Sequence, residues 1–144
     1  MNETTLQKPL VFEHFVDVRQ SDFDQYGHVS ATRYLDYVFT SRWMYSERLG
    51  LGLNHTLDKG VIFPVVRSEV NYKKEITSVG QVYVKSWVNQ IEKIKFWVNF
   101  QILSDNSESA QLYADGQFLC VCCDLSTRKP IVVPEWIFGL VFKN

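Results

Sequence analysis

Apolar and polar residues alternate from Val11 to Arg19, with Val11, Glu13, Phe15 and Asp17 on one side and Phe12, His14, Val16 and Val18 on the other. A period of two predicts a strand. The period then lengthens. From about Ser30 to about Leu49, Ala31, Tyr34, Leu35, Val38, Tyr45 and Leu49 fall on one helical stripe, with Arg42 inside it. Tyr37, Phe39, Trp43 and Met44 lie elsewhere around the cylinder, so this helix needs cover on more than one side. Gly50, Gly52 and Asn54 predict its end and a following loop, with Leu49, Leu51 and Leu53 tucked back onto the body.

Beyond that loop the chain reads as β-structure. Val61 to Lys73 predicts a strand, with Pro64 arguing for an edge or a bulge at its start. Gln81 to Asn89 alternates, setting Val82, Val84, Ser86 and Val88 against Tyr83, Lys85 and Trp87. Ile94, Phe96, Val98, Phe100 and Ile102 form the cleanest alternation, and Ser104 to Ser109 a polar hairpin loop. Ala110 to Cys123 predicts one long strand with a bulge at Asp115-Gly116. Ile131 to Val133 is expected as a short last strand, and Pro134 opens a terminal helix. One long helix with about five antiparallel strands predicts an α+β fold, in which a curved sheet wraps a central helix. Residues 1–144 are expected to form a single domain, with residues 1–9 frayed.

Composition narrows the function. Fifteen basic and sixteen acidic residues leave a formal charge of −1, which gives no reason to expect nucleic acid as a partner. Ten Phe, seven Tyr and four Trp imply a deep core, an interface or an apolar pocket, and a helix apolar on several faces in so short a chain argues for a dimer. No signal-like or membrane-spanning stretch is evident, so a cytoplasmic protein is expected. Cys120, Cys122 and Cys123 crowd into an alternating run whose side chains point to opposite faces. Two thiols facing the core is the expectation, and no metal site is expected.

Chemistry is concentrated in the turn before the long helix. Asp22 and Asp24 end the first strand, and Gly27 permits a tight turn or a close backbone approach. Ser30 or Thr32 is placed to cap the helix. A carboxylate beside the unpaired amides of a helix start can attack a carbonyl or activate water while those amides take up the developing charge. The amides around Ser30, Ala31 and Thr32 are the candidates. On this reading alone, capping of the turn by Asp24 weighs equally with catalysis, and Asp22 is expected to bond the turn. No Gly-x-Ser-x-Gly elbow is present. Arg42, on an apolar stripe, needs a partner, for which Asp22, Glu69 or Asp36 of a second chain are candidates.

Asp22-Phe23-Asp24-Gln25-Tyr26-Gly27-His28-Val29, followed by Arg33-Tyr34-Leu35-Asp36-Tyr37 and Arg42, resembles the signature of hotdog-fold acyl-CoA thioesterases of the 4-hydroxybenzoyl-CoA thioesterase-like family. The resemblance runs weakly on through Arg67 to Tyr72, Lys74-Glu75-Ile76 before Gly80, and Thr127 to Pro134. It implies a hotdog fold, a homodimer or a tetramer of dimers, and hydrolysis of an acyl thioester of coenzyme A or of acyl carrier protein. No cofactor is implied beyond the coenzyme A of the substrate. Asp24 matches the family's catalytic carboxylate, Gly27 lets the backbone approach, and His28 is a candidate to hold the loop or to touch substrate or water. Tyr34, Val38, Phe63 and Trp97 are candidates to line an acyl pocket. Arg67, Lys73, Lys74, Arg128 and Lys129 are candidates for the coenzyme A phosphates. Relatives often carry Asn-Asn after Gly-His-Val, where this chain has Ser30-Ala31. That departure motivates the alternatives of a carrier-protein thioesterase or a non-hydrolytic acyl-binding protein.

Overall fold

The structure, a computed structural model, describes residues 8–143. Helix α1 (Ala31–Arg48) lies against a five-stranded antiparallel sheet of order β2-β5-β6-β7-β4. These strands are β2 (Phe12–Val18), β4 (Val65–Tyr72), β5 (Gly80–Glu92), β6 (Lys95–Leu103) and β7 (Leu112–Val121). Two small ribbons complete the fold. β1 (Lys8–Pro9) pairs with β9 (Phe142–Lys143), and β3 (Val61–Ile62) pairs with β8 (Cys123–Asp124). Two short helices, α2 (Leu53–Lys59) and α3 (Glu135–Val141), flank them. This is the α+β arrangement that the residue pattern predicts and the hotdog fold that the resemblance implies.

The core forms where the two periodicities meet. Tyr34, Tyr37, Val38, Ser41 and Tyr45 recur at helical spacing along α1 and are buried. They face the inward residues of the sheet, among them Val82, Val84, Val98, Phe100, Ile102, Ala114 and Phe118. Aromatic rings lock the layers. Phe12 stacks on Tyr45 at 4.5 Å, and Phe39 meets Phe118 edge-on at 5.4 Å.

Several expectations are corrected. Tyr37 belongs to the buried face and Ala31 is exposed, which rotates the core stripe from its expected position. Residues 53–59 form a helix, and Leu53 is 72% exposed rather than tucked back. Pro64 splits the expected strand into β3 and β4; β4 is the sheet edge that Pro64 suggested. Asp115-Gly116 carries no bulge, because both residues stay in register with β4 and β6. Gly116 is needed for close packing instead: a Cβ there would sit 2.0 Å from the Glu69 carbonyl oxygen and 2.8 Å from Phe100. Residues 131–133 form no strand. All three cysteines are buried, since Cys122 falls between β7 and β8 where the alternation breaks. Lys8 and Pro9 pair with the chain's end, while the rest of the segment expected to fray lies outside the described residues.

Candidate active site

The turn before α1 is built almost wholly from backbone hydrogen bonds. The amides of Asp22 and Phe23 donate to Arg19 and Gln20, closing a 3-10 turn. Phe23 bridges Val29 in a small hairpin, in which the Asp24 amide donates to the His28 carbonyl at 2.9 Å. Gly27 sits at its tip with φ +84°, a conformation that side chains disfavour. The Ser30 amide returns to the Asp22 carbonyl at 3.0 Å, and the Val29 amide to Ile76 at 2.9 Å. The hairpin is therefore fixed to the start of α1 and to the β4–β5 connection.

Its two aspartates have different surroundings. Asp22 is 1% exposed, accepting from the Arg19 amide at 3.0 Å and the Tyr37 hydroxyl at 2.8 Å. Arg19 and Arg33 each lie 3.8 Å from its other oxygen. Burial pushes the Asp22 carboxyl up, but those donors and the two guanidiniums hold it below the usual carboxylate range. It is a charged tether for the turn, as expected. Asp24 is half-buried. Its Oδ1 accepts from the Tyr26 amide at 2.8 Å, and its Oδ2 lies 3.9 Å from His28 Nδ1. One carboxylate oxygen is held by an amide, and the other has only the His28 ring nearby among the described residues.

Ser30 is the N-cap residue of α1, yet its side chain caps no amide. Among the described residues, the amides of Ala31 and Thr32 have no acceptor within the chain. They carry the positive end of the helix dipole. Beside them opens a cleft of about 260 Å³, lined by His28, Val29, Ala31, Tyr34, Tyr72, Lys73, Lys74 and Glu75. The Tyr34 hydroxyl donates to the Lys74 carbonyl and the Tyr72 hydroxyl to the Ala31 carbonyl, each at 3.1 Å, so the end of β4 is pinned to the start of α1. Tyr72 and Glu75 were not singled out from the sequence. Only the strand register, which carries Tyr72 to the helix start, brings them in. His28 also lies 3.9 Å from Glu75, and its loop-holding contact is a 3.4 Å approach to the Val29 carbonyl.

The remaining candidates scatter. Asp24 does not line that cleft, and Val38 is core. Phe63 packs against Phe96 and lines a different cavity, near Arg42. Trp97 alternates with Val98 and lies on the sheet face away from the core. Arg67 is exposed on β4 and pairs with Glu69 at 2.9 Å. Arg128 and Lys129 sit in the turn after β8, whose Leu125 amide donates to Gly60, so they flank the α2 end of the fold. Because Tyr72 at one end of β4 meets the α1 start, and β3 and β8 adjoin the other end, the length of β4, ~26 Å, separates this basic pair from Asp24. Arg42 takes none of this chain's proposed acceptors: its guanidinium donates to the Phe63 carbonyl and approaches Cys120 Sγ at 3.6 Å. Asp36 is held by Arg33, and Glu69 by Arg67 and Gln117.

Comparison with known proteins extends this geometry. The long-chain acyl-CoA thioesterase FadM of Escherichia coli is 26% identical over 118 residues, 82% of this chain and 87% of that protein. YneP of Bacillus subtilis is 27% identical over 125 residues, 84% of this chain and 88% of that one. Among solved structures, a DHNA-CoA thioesterase from Staphylococcus aureus superposes with a TM-score of 0.75 at 26% identity, covering 88% of this chain and 86% of that one. A 1,4-dihydroxy-2-naphthoyl-CoA thioesterase from Synechocystis shares the fold with a TM-score of 0.77 at 23% identity, covering 90% and 95%. The family model described as thioesterase-like superfamily matches residues 18–139, from the end of β2 into α3, and the chain belongs to that superfamily.

Proposed function

We propose that this protein hydrolyses acyl-CoA thioesters. The observation that carries the reading is Asp24, with one oxygen held by the Tyr26 amide and the other open, in a hairpin rigidly tied to a helix start that has two uncapped amides. The thioester carbonyl lies toward the Ala31 and Thr32 amides, which stabilise charge on its oxygen. Asp24 supplies the negative oxygen, either attacking the carbonyl carbon or taking a proton from an attacking water. In the first route the Asp24 oxygen bonds the acyl carbon as the carbon–sulfur bond breaks, and water then hydrolyses the resulting anhydride to free acid and Asp24. In the second, the water oxygen bonds the carbon as the same bond breaks. In both, the leaving thiolate takes up a proton. The Ser30 amide, one of the three expected candidates, is taken by the Asp22 carbonyl, so the two free amides among the described residues are those of Ala31 and Thr32, and the Ser30-Ala31 departure leaves both in place. Similarity to FadM favours coenzyme A thioesters over those of acyl carrier protein.

The site is completed by a second chain. Asp24 stands outside the single-chain cleft, and β4 is a free sheet edge. Antiparallel pairing of two β4 edges across a two-fold sets the Val65 end of one against the Tyr72 end of the other. Arg128 and Lys129, a strand length from Asp24 in their own chain, then approach the partner's helix start and meet the substrate phosphates there. A non-hydrolytic acyl-binding protein is the remaining reading, favoured by nothing in the hairpin.

The test is thiol release from acyl-CoAs running from acetyl to palmitoyl, with benzoyl and 4-hydroxybenzoyl, for the wild type and Asp24→Asn. Turnover of a subset, with a loss of about 10²-fold or more in the folded variant, is expected. No turnover of any thioester, or an unaffected variant, overturns the reading.

A further inference from the structure

The His28 ring stands between two carboxylates from different parts of the chain. Its Nδ1 lies 3.9 Å from Asp24 Oδ2, and on the opposite side of the ring Nε2 lies 3.9 Å from Glu75 Oε1. Asp24 belongs to the hairpin before α1, and Glu75 to the connection between β4 and β5. His28 and Glu75 both line the cleft beside Ala31, whereas Asp24 does not. The imidazole is therefore what joins Asp24 to that cleft.

Backbone contacts hold the two segments in this register. The Val29 amide donates to the Ile76 carbonyl at 2.9 Å, so the residue after His28 is tied to the residue after Glu75. Val29 and Ile76 are both buried, which keeps the two backbones together. The ring itself is less constrained. Around Nδ1 lie Asp24 and the Val29 carbonyl, the latter at 3.4 Å, and both come from its own hairpin. Tyr26 stacks on the ring at 6.3 Å but is itself exposed at the hairpin tip. Among the described residues, Glu75 is the carboxylate within ion-pair distance of Nε2. Lys73 and Lys74 line the same cleft, yet neither pairs with Glu75 among the described residues. These polar neighbours of the ring are all acceptors, so each of its nitrogens is placed to donate.

We infer that Glu75 is a positioning residue for hydrolysis, acting on Asp24 through His28. The inference rests on the hydrolytic reading of Asp24 given above. Glu75 fixes the ring at Nε2, which aims Nδ1 at the second oxygen of Asp24. A carboxylate anchored by one oxygen still turns about that anchor. A donor at the other oxygen removes this freedom, and a group that must meet a carbonyl carbon or a water at one place depends on such orientation. The effect is on the reacting geometry, so it belongs in kcat rather than in substrate binding.

Glu75→Gln, His28→Gln and the double variant are assayed for thiol release beside the wild type and Asp24→Asn. Glu75 is exposed and buries no contact, so its neutral isostere is expected to fold. Glu75→Gln should lower kcat about tenfold and leave KM within about twofold. In the His28→Gln background the same substitution should add nothing, because the ring through which Glu75 acts is gone. Ring-nitrogen NMR gives a readout that needs no turnover: Glu75→Gln should shift the His28 Nε2 resonance and leave those of His14 and His55 in place. An unchanged kcat, losses that multiply in the double variant, or an unmoved His28 resonance overturns the inference. So does a change confined to KM, which would assign Glu75 to repulsion of substrate charge. If the wild type turns over no thioester, or Asp24→Asn is unaffected, the hydrolytic reading falls and this inference with it. A loss in Asp24→Asn with no effect at Glu75 overturns this inference alone.

Discussion

The hydroxyl of Tyr37 donates to the Asp22 carboxylate at 2.8 Å, joining the middle of α1 to the turn that carries Asp24. Desolvation and the carboxylate together raise the Tyr37 phenol, so it remains a donor through the physiological range. Tyr37→Phe removes one of the carboxylate's partners and should cost about 1 kcal/mol. Asp22→Ala leaves Arg33 and Arg19 without their shared anion and the Arg19 amide without its acceptor, and should cost about 3 kcal/mol or more. Urea denaturation of the two variants checks the ranking. The sign with pH follows from the depressed Asp22 carboxyl: its stabilisation is present above the unfolded value, near 4, and is lost as pH falls through the lower folded value.

Gly27 tests the hairpin by its backbone alone. At φ +84°, with open space where a Cβ would point, substitution meets conformational strain but no clash. Gly27→Val should cost about 1–2 kcal/mol and lower kcat by displacing Asp24. Gly27→Asn, which tolerates this conformation, should retain most activity. Equal activity in all three proteins would detach the hairpin geometry from catalysis.

The strands and the long helix were readable because each buries one face of a regular period, so that Val98, Phe100 and Ile102 declare themselves at every second position. The Asp24 hairpin was readable for a local reason, since Asp, Gly and the helix start lie within ten residues. What failed was non-local. Tyr37, by contrast, was legible, since it recurs at helical spacing with Tyr34, Val38, Ser41 and Tyr45; centring the stripe on Ala31 and Leu35 excluded it. Residues 53–59 read as loop because Gly50, Gly52 and Asn54 are turn residues, and the short helix there buries no stripe, with Leu53 and Leu57 facing solvent. Arg42 was given carboxylate partners because an arginine on an apolar stripe needs acceptors, and a backbone carbonyl has no sequence signature. Arg128 and Lys129 were grouped with the site by charge, whereas the register of β4 sets them a strand length from Asp24.

Gly116 is a packing requirement in the middle of β7. A methyl group would overlap the Glu69 carbonyl across the ladder and press on Phe100 beneath it. Backbone cannot yield as a flexible side chain does, so Gly116→Ala should cost at least the ~1–3 kcal/mol typical of overpacking. β4 is also the edge proposed to pair with a second chain. The variant should therefore weaken dimerisation, measured by sedimentation, at concentrations where the wild type remains paired.

His14 couples stability to mild acid. Its ring is 4% exposed on the inner face of β2, opposite Val84, and among the described residues its Nε2 has no hydrogen-bond partner. Burial lowers its proton affinity, and the charge of Arg48 lowers it further. With the folded value below the unfolded one, near 6.5, the unfolded state binds more protons in the interval between them. Stability is then complete above about 6.5 and declines as pH falls toward the folded value, below which the loss is constant. Replacing the ring by a non-titrating one of similar shape, His14→Phe, should flatten that part of the profile. Denaturation midpoints at pH 7.5 and pH 5 provide the measurement: the wild type should lose more stability between them than His14→Phe. An equal loss in both would assign the acid sensitivity to other groups, and would mean that His14 takes up its proton as readily in the folded state as in the unfolded one.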